Sequence, residues 1–193
     1  PDFLPWYFEG LLLATGGVIV ILLSIYGLYR SVRSLLFASV GLDTLADTIY
    51  TRRSRSRGPR MVAIGGGTGL SVLLRGLKAH TDNLTAIITV ADDGGSSGRL
   101  RRELGVLPPG DFRNCIVAMS DSESLLTELF QYRFDEGAGL KGHSFGNLFI
   151  VAMTNVTQSF EQALVESSKV LAVHGQIMPA TVANIRLSAR LRD

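Results

Sequence analysis

The sequence predicts an α/β protein in which a doubly wound sheet of three layers (α/β/α) is preceded by a transmembrane helix. Two short apolar runs of the kind that form buried strands, Met61–Ile64 and Leu84–Val90, each end in a glycine-rich polar stretch. Ahead of them, Gly10–Tyr29 carries no charge over twenty residues. We therefore divide the 193 residues into a transmembrane segment with its flanks (1–30), an amphipathic connector and basic linker (31–60) and a globular domain (61–193).

The uncharged segment is long enough to cross a bilayer core of roughly 30 Å. Trp6 and Tyr7 precede it, and Tyr26 and Tyr29 end it, where interfacial aromatic residues are expected. Seven arginines and only two acidic residues follow between Arg30 and Arg60, the reverse of the charge order of a signal peptide. By the positive-inside rule, we expect an inner-membrane protein whose globular domain lies in the cytoplasm.

The connector has two parts. Ser31–Tyr50 carries an imperfect apolar stripe, which suits a helix on the membrane surface, a connecting helix, or contact with a second subunit in a homo-oligomer. Thr51–Arg60 has the composition of a flexible basic linker. From Met61 onward twelve basic residues face thirteen acidic ones, so we do not expect nucleic acid as a partner. The single cysteine, Cys115, suits a reducing compartment, and we interpret it as a small core residue.

The first glycine stretch stands between a strand and a helix, an arrangement that binds phosphate. Glycines let backbone N–H groups approach an anion, and the helix N-terminus adds a charge of roughly +0.5. Leu70 replaces the third glycine of the dinucleotide fingerprint, and no lysine follows as in a P-loop. A tight turn that binds nothing is the alternative, but four glycines in five positions are more than a turn needs. The predicted ligand contacts here are Gly65, Gly66, Gly67, Thr68, Gly69 and Ser71.

The second strand ends in Asp92 and Asp93, followed by a polar glycine loop. Ligands of open α/β sheets bind beyond the carboxyl ends of the strands. The two carboxylates are therefore candidates to hold Mg²⁺, to bind a hydroxyl of the ligand, or to act as a catalytic base. An ordinary turn is the alternative. Further ligand contacts are expected from Ser96, Ser97 and Arg99 in the loop.

Two later stretches complete the candidate site. Asp111, Arg113 and Asn114 open an apolar helix; they contact a ligand, or Asp111 caps the helix and Arg113 pairs with it. His143, Ser144 and Asn147 precede another helix, whose free N–H groups repeat the arrangement of the first glycine stretch. No second His or Cys stands at ligand spacing, so we do not expect zinc.

The remaining pattern predicts packing elements. Thr157–Ala172 is predicted to be a helix, and Ala183–Leu191 alternates apolar and polar residues as a strand does. That strand pattern is still running at the last residue, so we expect the domain to be incomplete. Ser122–Tyr132 is predicted to be a helix with four residues facing inward: Leu125, Leu126, Leu129 and Phe130.

Six motifs occur in a fixed order: IGGGTGLSVLLRGLK, ITVADDGGSSGRLR, LPPGDFRNC, LFQYRF, GHSFGNLF and VHGQIMPAT. Together, over about Arg60–Thr181, they resemble the gluconeogenesis-factor (YvcK/CofD-like) family. The resemblance implies a Rossmann-like core and a chain that is truncated at its C-terminus, because family members are about twice as long as this domain.

The family resemblance implies two alternative functions. One branch binds UDP-sugars and influences cell shape, envelope synthesis and carbon-source adaptation without an established reaction, and membrane-tethered members occur there. The other branch comprises 2-phospho-L-lactate transferases, which make a deazaflavin cofactor with the help of Mg²⁺. The triple glycine before TGLS, with DDGGSSGRLR, is similar to the first branch. We therefore expect a membrane-tethered regulator that binds a nucleotide-sugar, with the transferase as the alternative.

Overall fold

The structure is a computed structural model that describes residues 6–37, 42–121 and 124–190. Contacts divide the chain into two compact units, Pro1–Arg52 and Arg53–Asp193. In the first unit, helix α1 (Trp6–Phe37) contains Leu12–Ser31, 20 residues of which none is buried. This segment is long and apolar enough to cross a membrane, so the predicted helix is confirmed, while its insertion into a membrane stays a prediction.

The second unit is built on a parallel sheet with the strand order β1-β2-β3. One row across it, Ala63, Ala86 and Ile177, is buried in the core. Because successive side chains of a strand point to opposite faces, Val62 and Ile64 lie on the other face, where they are 63% and 72% exposed. The α/β class with a parallel sheet flanked by helices is confirmed. The strands are β1 (Met61–Gly65), β2 (Leu84–Ile88) and β3 (Gln176–Pro179).

Helix α5 is the central packing element of this unit. Its residues Phe112, Cys115 and Ile116 are fully buried, and the Phe112 ring packs edge-to-face on Phe160 with centroids 4.9 Å apart. The turn Pro108-Pro109 fixes the start of α5, because proline is pre-organised for a helix beginning. The helices of this unit are α2 (Leu42–Ser56, which begins in the first unit), α3 (Gly67–Leu77), α4 (Gly95–Leu104), α5 (Gly110–Met119), α6 (Ser124–Gln131), α7 (Phe145–Thr157) and α8 (Phe160–Val170).

Two local predictions about helices are wrong. The polar glycine stretch after Asp93 forms helix α4 rather than a loop, and Gly105 ends it in the left-handed conformation. Glycine and serine favour turns locally, but the buried side chains of Leu100 and Arg101 hold this segment in a helix. In α6, Phe130 is buried as predicted, whereas Leu125 and Leu129 are 73% and 42% exposed. Periodicity alone did not reveal that only a narrow face of this short helix packs on the core.

The prediction of a flexible linker over residues 51–60 is also wrong at the start of that segment. Helix α2 continues to Ser56, and Arg55 Nη2 makes ion pairs with Asp82 at 2.7 Å and Asp121 at 3.1 Å. These carboxylates lie far from Arg55 in the sequence, so composition could not predict that they order this end of the linker. The apolar stripe predicted over residues 31–50 lies largely outside the residues whose side chains the structure describes.

No strand forms over residues 181–190, so the predicted strand Ala183–Leu191 is wrong within the described chain. Ile185 and Leu187 are 45% and 84% exposed. A strand needs a neighbouring strand to satisfy its backbone groups, and none of the described residues supplies one to this segment. Instead, the segment is held where Arg101 Nε donates a 3.0 Å hydrogen bond to Asn184 Oδ1.

Candidate functional site

The parallel strands bring two of the predicted polar stretches to one edge of the sheet. The N–H group of Thr89 donates to the carbonyl oxygen of Gly65 at 2.8 Å, and that of Ala180 donates to Ile88 at 2.8 Å. The chain segments that follow β1 and β2 therefore leave the sheet side by side. This edge is the usual ligand site of open α/β sheets.

The first glycine stretch turns directly into α3, whose N-cap is Gly66. A Cβ atom on Gly66 would lie 2.1 Å from Thr89 Oγ1, so the backbone passes too close to the neighbouring strand end for any side chain. Gly67 has a φ angle of +63°, and nothing lies within 4 Å of the position its Cβ would take. This residue therefore combines a conformation that favours glycine with open space in front of it.

One of the donors predicted for the ligand is already used. The N–H group of Gly67 donates a 2.7 Å hydrogen bond to Asp111 Oδ2, so this carboxylate faces the N-terminus of α3. The alternative that Asp111 caps its own helix is wrong, because α5 has Pro109 at its N-cap and no side-chain cap. The next backbone N–H groups, those of Thr68 and Gly69, lie in the first turn of α3. The N–H groups of a first helical turn have no acceptor within the helix. Ser71 is buried, and its hydroxyl donates to Thr68 O at 2.9 Å.

Each of the paired aspartates has its own partner. Asp92 Oδ1 accepts the N–H group of Gly94 at 2.9 Å, and Asp93 Oδ1 pairs with Arg101 Nη1 at 2.8 Å. Each carboxylate has a second oxygen, and Mg²⁺ in proteins is often held by one or two carboxylates together with water and ligand phosphates. The two side chains are of the chemical kind that such an ion requires, and Mg²⁺ at this place stays a prediction. In the described part of the chain, no group of three His, Cys, Asp or Glu side chains converges to hold a metal alone.

A buried network joins α4 to α7. Ser96 Oγ lies 2.8 Å from His143 Nδ1, and Asn147 Nδ2 donates to the same Ser96 oxygen at 3.1 Å. Burial, followed by the positive charge of Arg99, lowers the pKa of His143 from its ordinary value. A neutral imidazole suits this network, because it leaves Nδ1 free to accept the Ser96 hydroxyl proton. Ser144 is the N-cap of α7 and accepts from the N–H of Asn147 at 3.3 Å.

The other predicted contacts lie on α4 and α5. Ser97 Oγ accepts the N–H of Gly110 at 3.0 Å, which joins α4 to the start of α5. Arg113 is 8% exposed, and its Nη2 donates to Asn114 Oδ1 at 2.8 Å. The alternative that Arg113 pairs with Asp111 is wrong, since the described residues give Arg113 no ion pair. Arg99 Nη2 donates to the Lys141 carbonyl at 2.8 Å.

Three contributors were missed by the sequence analysis. Thr89 packs against the glycine turn, buried Arg101 holds Asp93, and Arg133 Nη1 donates to the carbonyl oxygen of Gly142. Thr89 and Arg101 lie inside the motif ITVADDGGSSGRLR, and Arg133 lies inside LFQYRF, so their place within the motifs was the available signal. Cys115 is fully buried, and burial, with a smaller effect of Asp111, raises its pKa to about 12. Its predicted place in the core is confirmed.

The fold and the site define a class: an α/β domain whose glycine turn and polar helix starts meet at the carboxyl edge of a parallel sheet, as in proteins that bind phosphorylated ligands. The family described as 2-phospho-L-lactate transferase CofD matches residues 61–193. A relative from Nostoc sp. (strain PCC 7120) is 55% identical over 194 residues, which cover 100% of this chain and 42% of the relative. The gluconeogenesis factor of Bacillus subtilis (strain 168) is 57% identical over 70% of this chain and 43% of its own length.

The crystal structure of protein BH3568 from Bacillus halodurans matches with a TM-score of 0.61 and 59% identity, over 63% of this chain and 39% of that one. The chain therefore belongs to the CofD-like family and is similar to its gluconeogenesis-factor members. It spans about two fifths of the length of these relatives.

Proposed function

We propose that this chain is part of a membrane-tethered cytoplasmic regulator that binds a nucleotide-sugar, specifically a UDP-sugar, in the manner expected of gluconeogenesis factors. Such a regulator would link envelope synthesis and cell shape to carbon metabolism. The observation that carries the proposal is Gly67, which has a positive φ angle and open space in front of it at the start of α3. A ligand pyrophosphate in that space would meet the N–H groups of Thr68 and Gly69 and the positive end of the helix.

The other polar residues of the edge would bind the rest of the ligand. Asp92 would accept a hydroxyl of the ligand directly or hold it through Mg²⁺, because its carboxylate remains half-accessible. Asn114 lies on the neighbouring helix and is also half-accessible. Ser96, His143 and Asn147 are buried, so their role would be to fix the starts of α4 and α7 around the ligand rather than to contact it first.

The match to the family described as 2-phospho-L-lactate transferase favours a second candidate function, transfer of a phosphate-containing group to a deazaflavin acceptor. In that case Asp92 and Asp93 would be the candidates for holding Mg²⁺. The ion would neutralise the phosphate charge, and the chain would contribute the anion-binding turn and a fixed position for Asp93 through Arg101.

One experiment separates the two candidates. The full-length protein is incubated with a nucleotide donor, a deazaflavin acceptor and Mg²⁺, and product formation is followed by mass spectrometry. In parallel, calorimetric titration measures UDP-sugar binding. Binding of the UDP-sugar without product is the expected result. Formation of the transfer product without UDP-sugar binding would overturn the proposal in favour of the transferase.

The membrane part of the proposal is tested by topology. Seven arginines between Arg30 and Arg60 resist translocation, so the domain that follows should stay in the cytoplasm. A reporter enzyme that is active only in the periplasm, fused after Asp193, should be silent. A matched fusion before Gly10 should be active. Activity after Asp193 would contradict both the orientation and the access of the site to cytoplasmic nucleotides.

A further inference from the structure

Three arginines gather around the loop that leads into α7. Arg99 Nη2 donates to the carbonyl oxygen of Lys141, and Arg133 Nη1 donates to that of Gly142, the next residue. The backbone of Arg133 also pairs with Ser144, the N-cap of α7. Arg113 lies against the first turn of α7, because its Cγ is 2.8 Å from the position that a Cβ of residue 146 would take.

The positive charges of this cluster are not balanced by acidic partners. In the described ranges 6–37, 42–121 and 124–190, neither Arg99, Arg113 nor Arg133 makes an ion pair. The acidic groups that face the cluster are Glu103 and Asp111, and Asp111 is already bonded to Gly67. Burial and the nearby charge of Arg133 lower the pKa of Arg113 from its ordinary value.

Arg113 is the informative member of the cluster. Its side chain is 8% exposed, and its buried Nε–H group has no hydrogen-bond partner. A guanidinium that is buried without an anion is costly, since both its charge and its donors have lost water. Arg113 Nη2 donates to Asn114, so the acceptor that is missing is the one for Nε–H, and a ligand oxygen would supply it.

We propose that Arg99, Arg113 and Arg133 form a second anion site at the start of α7, which takes a phosphoryl group. Guanidinium groups bind phosphate oxygens in a planar, two-pronged geometry, and the N-terminus of the 13-residue helix α7 adds a favourable dipole. The assignment of this phosphoryl group to the nucleotide ligand rests on the proposed function. The site itself, however, can be tested with inorganic phosphate alone.

The test measures thermal unfolding of the full-length protein in detergent, with and without sodium phosphate at constant ionic strength. A phosphate concentration of about 10 mM is roughly saturating for a weak anion site. Phosphate should raise the Tm of the wild type by about 2 °C or more. In Arg113→Met, which keeps the length of the side chain and removes its charge, the phosphate effect should fall to no more than what the glycine turn contributes. Without phosphate, Arg113→Met should melt at a higher temperature than the wild type, because an unpaired buried charge is gone. Arg75→Met, which removes an exposed arginine of α3, is the matched control and should keep the phosphate effect.

The outcomes separate this site from the glycine turn. A phosphate effect that persists in Gly67→Val but not in Arg113→Met supports the arginine site, whether or not UDP-sugar binding is found. Competition between phosphate and a UDP-sugar would assign the site to the nucleotide ligand, and additive stabilisation would assign it to free phosphate. A lower Tm of phosphate-free Arg113→Met, or an equal phosphate effect in wild type and Arg113→Met, would overturn the proposal.

Discussion

The backbone N–H of Gly67 donates a 2.7 Å hydrogen bond to Asp111 Oδ2, joining residues 44 positions apart in the sequence. A carboxylate that accepts a hydrogen bond at a helix N-terminus is stabilised by the helix dipole. Because Asp111 belongs to α5, this bond fixes α5 against α3. The two helices share a core with the sheet, since Leu70, Leu74 and Phe112 belong to one buried cluster. The glycine turn is therefore held in place by a residue that lies far from it in the sequence.

Removing this carboxylate should loosen the turn. We expect Asp111→Ala to lower the free energy of unfolding by about 1.5–3 kcal/mol, the range for hydrogen bonds to charged groups. Asp111→Asn keeps an acceptor oxygen and should cost less than half as much. Urea denaturation of both variants measures the difference. Equal stability of Asp111→Ala and wild type would show that the bond does not hold the turn.

Two glycines of the same segment should respond in opposite ways to alanine. A Cβ on Gly66 would lie 2.1 Å from Thr89 Oγ1, so Gly66→Ala should destabilise the protein by about 1–3 kcal/mol. Thr89→Ala removes that oxygen and should recover part of the loss when combined with Gly66→Ala, because Asp111 Oδ2 also lies 3.0 Å from the Cβ position. Gly76 lies inside α3 with open space around it, so Gly76→Ala should stabilise by about 0.5–1 kcal/mol. Chemical denaturation of the four variants tests this, and a stabilised Gly66→Ala would contradict the close packing of the turn.

The buried His143 should make the free energy of unfolding depend on pH. Because burial lowers its pKa in the folded protein, the unfolded chain binds the proton more readily. The contribution of this residue is therefore present above its ordinary pKa of about 6.5 and is lost as the pH falls below that value. The slope should not exceed about 1.4 kcal/mol per pH unit, the limit for one group. His143→Gln should flatten the profile between about pH 7 and 5, and an unchanged profile would show that His143 does not titrate with unfolding.

The parts of the fold that depend on local pattern were predictable from the sequence. The strand of Met61–Gly65, the glycine turn and α3 follow from apolar periodicity and from glycine chemistry. Relationships across the chain were not predictable in this way. The bond between Gly67 and Asp111 and the clamp of Arg101 on Asn184 depend on tertiary distance, which no short pattern encodes.

The same limit explains the wrong predictions. The apolar run predicts that Val62 and Ile64 belong to a buried strand. Their side chains are exposed, because nothing among the described residues covers their face of the sheet. The alternation after Ala183 is typical of a strand, but a strand forms only where a neighbour accepts its hydrogen bonds. In the second glycine stretch, buried contacts of Leu100 overrode a local preference for turns.

The most direct measurement of the central claim is the affinity of Gly67→Val for a UDP-sugar, determined by calorimetry on the full-length protein. The branched side chain would occupy the open space at the start of α3, and the positive φ angle would cost on the order of 1 kcal/mol or more of stability. Gly76→Val, in the same helix and also in open space, controls for the substitution itself. We predict at least a tenfold loss of affinity, about 1.4 kcal/mol, for folded Gly67→Val and wild-type affinity for Gly76→Val. Wild-type affinity in folded Gly67→Val would contradict the account and reduce the glycine stretch to a turn.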